Sequence, residues 1–109
     1  MKEMIEYEDF AKLDMRVVRI KEAVRMEGSQ RLLRLTVETG EEERVVIAGI
    51  GDQYDPDELI GQKVIMLLNL KPKRIFGVES NGMILAADCG SVISLLKTDK
   101  DVKEGCLVR

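Results

Sequence analysis

Apolar and polar positions alternate through much of this chain, and the period is two, the period of a half-buried strand. In residues 14–26, Met15, Val17, Val18, Ile20, Ala23 and Val24 interleave with Arg16, Arg19, Lys21 and Glu22. This predicts one long strand, bulged where the alternation slips. Gly28-Ser29 marks a turn. Leu33, Leu35 and Val37 then face away from Arg34, Thr36 and Glu38, which predicts a second strand. Thr39-Gly40-Glu41 predicts a hairpin turn, and Arg44 to Ile50 a third strand. Asp55-Pro56-Asp57-Glu58-Leu59 has the chemistry of a helix start. Asp55 is placed to cap, Pro56 suits the first helical position, and the acids favour the positive end of the dipole. Gly61 ends that helix after little more than a turn. Lys63 to Leu70 is nearly all apolar, as a central strand is, and Pro72 stops it. Gly82 to Asp88 predicts a fifth strand, Ser91 to Leu96 is strand-like, and Tyr7 to Leu13 predicts a short helix.

This order predicts an all-β fold: a five-stranded OB-fold barrel with a short helix between strands 3 and 4 and extra C-terminal strand-like segments. An immunoglobulin-like sandwich wants about seven strands. A ferredoxin-like fold wants two long helices, which the pattern lacks. A chain of 109 residues suits one core, so residues 1–109 read as a single domain. Within it, 1–13 form an N-terminal arm and 89–109 a C-terminal extension.

Composition narrows the chemistry. There is no histidine, which removes the usual general base and the commonest zinc ligand. The two cysteines, Cys89 and Cys106, are too few for a four-thiolate site and are not spaced as CxxC. They read as free thiols, Cys89 as a buried one beside the turn acid Asp88. No catalytic group, metal site or cofactor is expected, and an enzyme is disfavoured for want of an activated nucleophile. The carboxylates Asp55, Asp57 and Glu58 are better explained by capping than by catalysis. The longest apolar runs, Val64 to Leu68 and Met83 to Ala87, are too short to span a bilayer, so no membrane partner is expected. The acidic N-terminus resembles neither a signal nor a transit peptide, so a cytoplasmic location is expected. A start at Met1 favours an independent gene product.

The net charge of -3 hides a segregation. Residues 16–35 carry six bases and two acids, whereas residues 36–60 carry one base and eight acids. Residues 61–80 are basic again, with four bases and one acid. A fold that brings Arg16, Arg19, Arg31, Arg34, Lys71, Lys73 and Arg74 to one face makes a basic stripe on an acidic body, suited to phosphates. The alternative is a set of solvated strand faces.

The stretch from Asn69 to Ala87 is the most informative. Pro72 forces the chain out of the sheet. Lys71, Lys73 and Arg74 fall within four residues about it, close to Gly77 and Gly82. Ser80 and Asn81 supply short hydrogen-bonding groups. Bases, exposed amides and short polar side chains are what phosphate and sugar recognition uses. The other reading is a plain inter-strand loop with lysines for solubility.

Asn69-Leu70-Lys71-Pro72, the basic pair Lys73-Arg74, Gly77, Ser80-Asn81-Gly82-Met83 and the apolar tail to Ala86-Ala87 closely resemble the signature of the tRNA-binding domain family. That family includes stand-alone dimeric tRNA-binding proteins and the C-terminal domain of many methionyl-tRNA synthetases. Asp9-Phe10, Lys12 to Val17, Val46 to Ile50 and the Tyr54 to Gly61 segment extend the resemblance over roughly residues 8–109. One loop departs: the family's His-Pro is missing from Met26 to Leu32, where Arg31 and Leu32 remain. The chaperone branch related to CsaA replaces the Leu-Lys and Ser-x-Gly-Met that this chain keeps.

The resemblance implies binding of the folded tRNA body. With two Phe, two Tyr and no Trp, the chain offers a poor stacking platform, so contacts to phosphate, sugar and shape are expected. Lys71, Lys73 and Arg74 are expected to neutralise phosphates, with Arg16 and Arg31 extending the stripe. Asn69, Ser80 and Asn81 are expected to bond backbone or sugar oxygens, beside Gly82 and Met83. Met83 reads either as surface or as core, Met15 and Met66 as core, and Phe76 as packing on the barrel or stacking on a base. The resemblance implies a homodimer, and Val92, Ile93, Leu95 and Leu96, with Ile5 and Tyr7, make a candidate apolar patch for it. An aminoacyl-tRNA synthetase is a further candidate partner. The alternative function is a CsaA-like chaperone or protein-interaction module on the same fold.

Overall fold

A computed structural model describes residues 1–109. The order of elements is α1 (Tyr7–Ala11), β1 (Met15–Arg25), β2 (Leu33–Glu38), β3 (Glu43–Ala48), α2 (Pro56–Leu59), β4 (Lys63–Leu67), β5 (Lys73–Ile75), β6 (Val78–Ser80), β7 (Met83–Ile84), β8 (Ala86–Asp88), β9 (Ile93–Leu95) and β10 (Leu107–Val108). The fold is all-β, with the main sheet running β3-β2-β1-β4-β7. These five strands curl into a nearly closed antiparallel barrel of the OB type, with α2 between β3 and β4 as the sequence predicts.

β1 makes the curl possible. Its register shifts between Ile20 and Glu22, the bulge that the slipped alternation predicts. Before the bulge β1 pairs with β4 over residues 15–19, and it pairs with β2 over residues 19–25. Alternate side chains therefore point into one core: Val18, Ile20 and Ala23 from β1, Leu33, Leu35 and Val37 from β2, Val46 and Ala48 from β3, Val64 and Met66 from β4. Met66 is fully buried, as expected, whereas Met15 is half-buried. Leu59 of α2 is 1% exposed and fills the core from beneath. Asp55 occupies the N-cap of α2 without a side-chain cap bond, and instead accepts a 3.5 Å bond from Arg25 Nη2.

Two predicted strands end differently. β4 stops at Leu67 rather than Leu70, because the Leu68 amide turns aside to donate to the Asp14 carbonyl at 2.8 Å. The fifth predicted strand divides in two. β7 pairs with β4, while β8 leaves the barrel to pair with β9.

The C-terminal extension covers its own barrel. Leu95 is buried in the core and Ile93 packs against it. Residues 105–106 then run beside β1, where Gly105 N–H donates to the Val17 carbonyl at 2.7 Å and Val17 N–H to the Cys106 carbonyl at 2.9 Å. Both cysteines are exposed, Cys89 included, and the Asp88 carboxylate accepts from Gly90 N–H at 2.8 Å. No helix is long and apolar enough to cross a membrane.

Candidate nucleic-acid interface

The chain leaves the barrel where β4 ends. The Leu68 carbonyl accepts a 2.8 Å bond from Arg44 Nη1. The Asn69 side chain then ties this corner to the linker after α1: Oδ1 accepts from Asp14 N–H at 2.8 Å, and Nδ2 donates to the Lys12 carbonyl at 2.6 Å. Pro72 follows, and the segment read from sequence as a loop forms a second small sheet. Lys73 pairs with Ser80, Arg74 with Glu79 and Ile75 with Val78. That leaves Phe76-Gly77 as a two-residue turn with φ of 49° and 77°. Two consecutive positive φ values are what a type I′ hairpin requires, and its twist matches the flanking strands.

β3 holds this hairpin in place. Ser80 is 5% exposed and its Oγ accepts from Ile47 N–H at 2.9 Å. Asn81 N–H donates to the Val45 carbonyl at 2.9 Å. The free edge of β3 is thereby satisfied and the barrel nearly closes. Gly82, at φ 122°, is required by packing: a Cβ there would collide with Met66 Cε and lie 2.8 Å from the Leu67 carbonyl oxygen. Ser80 and Asn69 thus spend side-chain hydrogen bonds inside the protein.

Between the hairpin and β3 lies an open groove of about 510 Å³. Ile47, Leu70, Ile75 and Met83 supply its apolar surface, Lys71 and Lys73 its cations, and Ser80 and Gly82 complete the lining. Met83 therefore lies at the surface, 46% exposed, and Phe76 at the hairpin tip is 62% exposed rather than packed on the barrel. Lys73 and Ile75 share one face of β5, so Arg74 points to the other, beside Glu79 in the register.

The stripe drawn from sequence gathers only in part. Arg34 stands opposite Ile47 in the β2–β3 ladder and is exposed on the same face, next to the groove. Arg31 reaches the carbonyl of Gly49, two residues beyond Ile47, through Nε at 3.4 Å. Arg16 does not join them. Its Nε bonds the Asp14 carboxylate at 2.8 Å, and it shares a cleft with Thr39, Gly40, Glu41 and Gly105 outside the groove. The bond to Asp14 raises the pKa of this guanidinium above even the ordinary arginine value. Arg19 is likewise paired, with Glu38 at 2.6 Å.

Ion pairing separates these cations only in part. Arg16, Arg19, Lys21, Arg25, Arg44 and Lys63, all on the barrel strands, have acid partners within 4 Å. Lys21, bonded to Glu43 at 2.6 Å, has its pKa raised by that bond. Arg31, Arg34, Lys71, Lys73 and Arg74 have no such partner, and neither do Lys2, Lys97, Lys100, Lys103 and Arg109 elsewhere on the chain. Sequence pattern named the first five but could not separate them from the paired ones, because ion pairing is a property of register. The apolar groove itself was missed. Its signal lay in the alternation of Lys73-Arg74-Ile75 with Val78-Glu79-Ser80 about a two-residue turn, obscured because Phe-Gly is not a customary turn pair.

The structure is a small OB-type barrel carrying a hairpin whose cations lack acid partners. The tRNA binding domain family model matches residues 15–106, and the chain belongs to that family. It is 49% identical over 108 residues to the methionine–tRNA ligase of Methanothrix thermoacetophila, covering 99% of this chain and 16% of that protein. It is 46% identical over 107 residues to the enzyme of the same name from Pyrococcus horikoshii, covering 98% and 15%. The chain therefore spans about one sixth of the length of these curated relatives. Among solved structures, a MetRS related protein from Pyrococcus horikoshii has a TM-score of 0.93 at 37% identity, covering 99% of this chain and 100% of that one. The chaperone CsaA from Bacillus anthracis has a TM-score of 0.90 at 28% identity, covering 98% and 100%.

Proposed function

We propose that this protein is a non-catalytic tRNA-binding module that grips the phosphates and sugars of folded tRNA through Lys71, Lys73, Arg74, Arg31 and Arg34. The observation that carries the reading is the cluster of five cations without acid partners around one hairpin, on a chain whose net charge is -3. An unpaired cation releases counterions from a phosphate without first breaking an ion pair of its own. Asn69 and Ser80 act as holders of the hairpin, Asn81 fixes it through its backbone, and Gly82 lets the chain pass close to Met66. Arg16, bonded to Asp14 and outside the groove lining, stands apart from these five in this reading. The likeness to methionine–tRNA ligases supports a role beside, or as a part of, such a synthetase.

The test is a salt series of binding to intact tRNA, heat-unfolded tRNA and duplex RNA. With about five phosphate contacts, log affinity falls against log salt with a slope of about -4, a few hundredfold between about 50 and 200 mM. A Lys71→Ala, Lys73→Ala double variant lowers that slope by about two. Affinity that ignores salt overturns the phosphate reading, and equal binding to all three RNAs overturns selectivity for folded tRNA.

We also infer a homodimer. α1 buries none of its residues; its Tyr7 and the preceding Ile5 are exposed, as are Val92, Leu96 and Leu107 in the C-terminal extension. Ile93 and Leu95 serve the protomer's own core and are not part of the patch. Sedimentation at micromolar concentration gives a dimer mass on this reading; a monodisperse monomer refutes it. A chaperone role is the second reading, favoured by the TM-score of 0.90 to CsaA. It expects suppression of aggregation of an unfolded client that survives the Lys71→Ala, Lys73→Ala change.

A further inference from the structure

We propose that the groove between the β5–β6 hairpin and β3 receives one unstacked nucleobase of the bound RNA. This rests on the function proposed above and adds what the site reads. A nucleotide has two chemical parts, an apolar face and an anion, and the groove has a counterpart for each. Ile47, Leu70, Ile75 and Met83 offer the apolar surface, while Lys71 and Lys73 stand beside it with no acid in the lining. The volume, about 510 Å³, lies in the range of about 300–1,000 Å³ usual for small organic ligands. Leu70 and Met83 are 44% and 46% exposed, so apolar surface is left uncovered by the protein's own chain. A base laid there removes it from water.

The groove reads a base face, not a base edge. Its one hydroxyl, on Ser80, is buried and already accepts from Ile47 N–H. No other lining side chain carries an amide or carboxylate; Lys71, Lys73 and the Ser80 O–H are donors only, and with the lysines assigned to phosphate the groove lacks the paired donor and acceptor that tell bases apart. The site is tolerant of sequence and intolerant of pairing, because a duplex keeps its base faces in the stack. A chain poor in aromatic residues thereby distinguishes folded RNA with unpaired nucleotides from plain duplex.

The experiment uses two RNA hairpins that differ by one bulged 2-aminopurine nucleotide. The bulged hairpin is expected to bind about tenfold more tightly than the fully paired one, as burial of a base face on aliphatic surface predicts. Its 2-aminopurine emission changes on binding. Leu70→Ala removes most of that tenfold advantage while leaving the slope against salt unchanged. Met83→Ala does the same and replaces it should Leu70→Ala fail to give a folded circular-dichroism spectrum. Equal affinity for the two hairpins, or unmoved emission, overturns the groove assignment while tRNA binding itself stands. Failure of every RNA, intact tRNA included, to bind at low salt overturns the proposed function and this inference with it.

Discussion

Phe76 occupies a conformation that side chains with a Cβ avoid. Its φ is 49°, and it is the one non-glycine residue with positive φ. The left-handed region costs a residue with a Cβ about 1–2 kcal/mol. The ring is 62% exposed, so burial repays little of that cost. Phe76→Gly relieves the strain and loses about 0.4–1 kcal/mol through the unfolded chain's added freedom. A net gain of about 0.5–1 kcal/mol is expected, read as a higher midpoint in urea unfolding with the same m-value. A loss of stability would mean that the ring makes contacts in solution that outweigh the strain. The same scale shows what the sequence could not tell about Asn69 and Ser80. Both sit in the motif as short polar groups, and nothing in the chain order says which way they point. Register decides it: Ser80 falls against Ile47 N–H, and Asn69 spans Lys12 and Asp14.

The elements were most legible where one face is buried and one wet. The β1–β2–β3 meander, its bulge, the 39–42 turn and α2 all follow from alternation and turn chemistry. Legibility fails where tertiary partners replace neighbours in the ladder. β4 ends early because Asp14, far away in sequence, takes the Leu68 amide. β7 and β8 look like one strand because nothing polar separates them, yet Leu85 N–H bonds the Ile65 carbonyl while the Leu85 carbonyl takes Leu96 N–H. The chain thus passes from the barrel to the C-terminal hairpin at one residue. The β5–β6 hairpin is the functional case. It is three residues a strand, too short to stand alone, and so depends on its attachment to β3. Ser80→Ala leaves the Ile47 amide without its partner in a buried place, a loss of about 1–3 kcal/mol. Because the same bond anchors the hairpin, amide exchange at residues 78–81 is expected to quicken more than exchange in β1. Equal change in both would mean that the hairpin is held by other contacts.

The charges left without partners differ in sign at the two ends of the β2–β3 ladder: Arg34 at one, Glu41 and Glu104 beyond the other. Arg34 and Ile47 stand at one end, and Glu38 opposite Glu43 at the other. Beyond them the turn gathers Glu41, Glu42 and Glu104 into the same cluster. Arg34 and Glu38 are four residues apart, about 13 Å along a strand. That exceeds the Debye length of about 8 Å at physiological salt but falls well inside the roughly 30 Å at 0.01 M. At low salt the acids of the turn disfavour approach of RNA to that end and so bias its orientation toward the hairpin. Glu41 and Glu104 suit a test, because neither takes part in an ion pair, whereas Glu42 and Glu43 hold Arg44 and Lys21. Neutralising both with Glu41→Gln and Glu104→Gln is expected to raise the association rate for tRNA about two- to threefold at 0.01 M salt, as steering predicts. At 0.15 M the rate should match the parent protein, and the dissociation rate should be unchanged at either concentration. An increase of the same size at both salt concentrations would place RNA in contact with the acidic end, and the orientation argued from the ladder would be reversed.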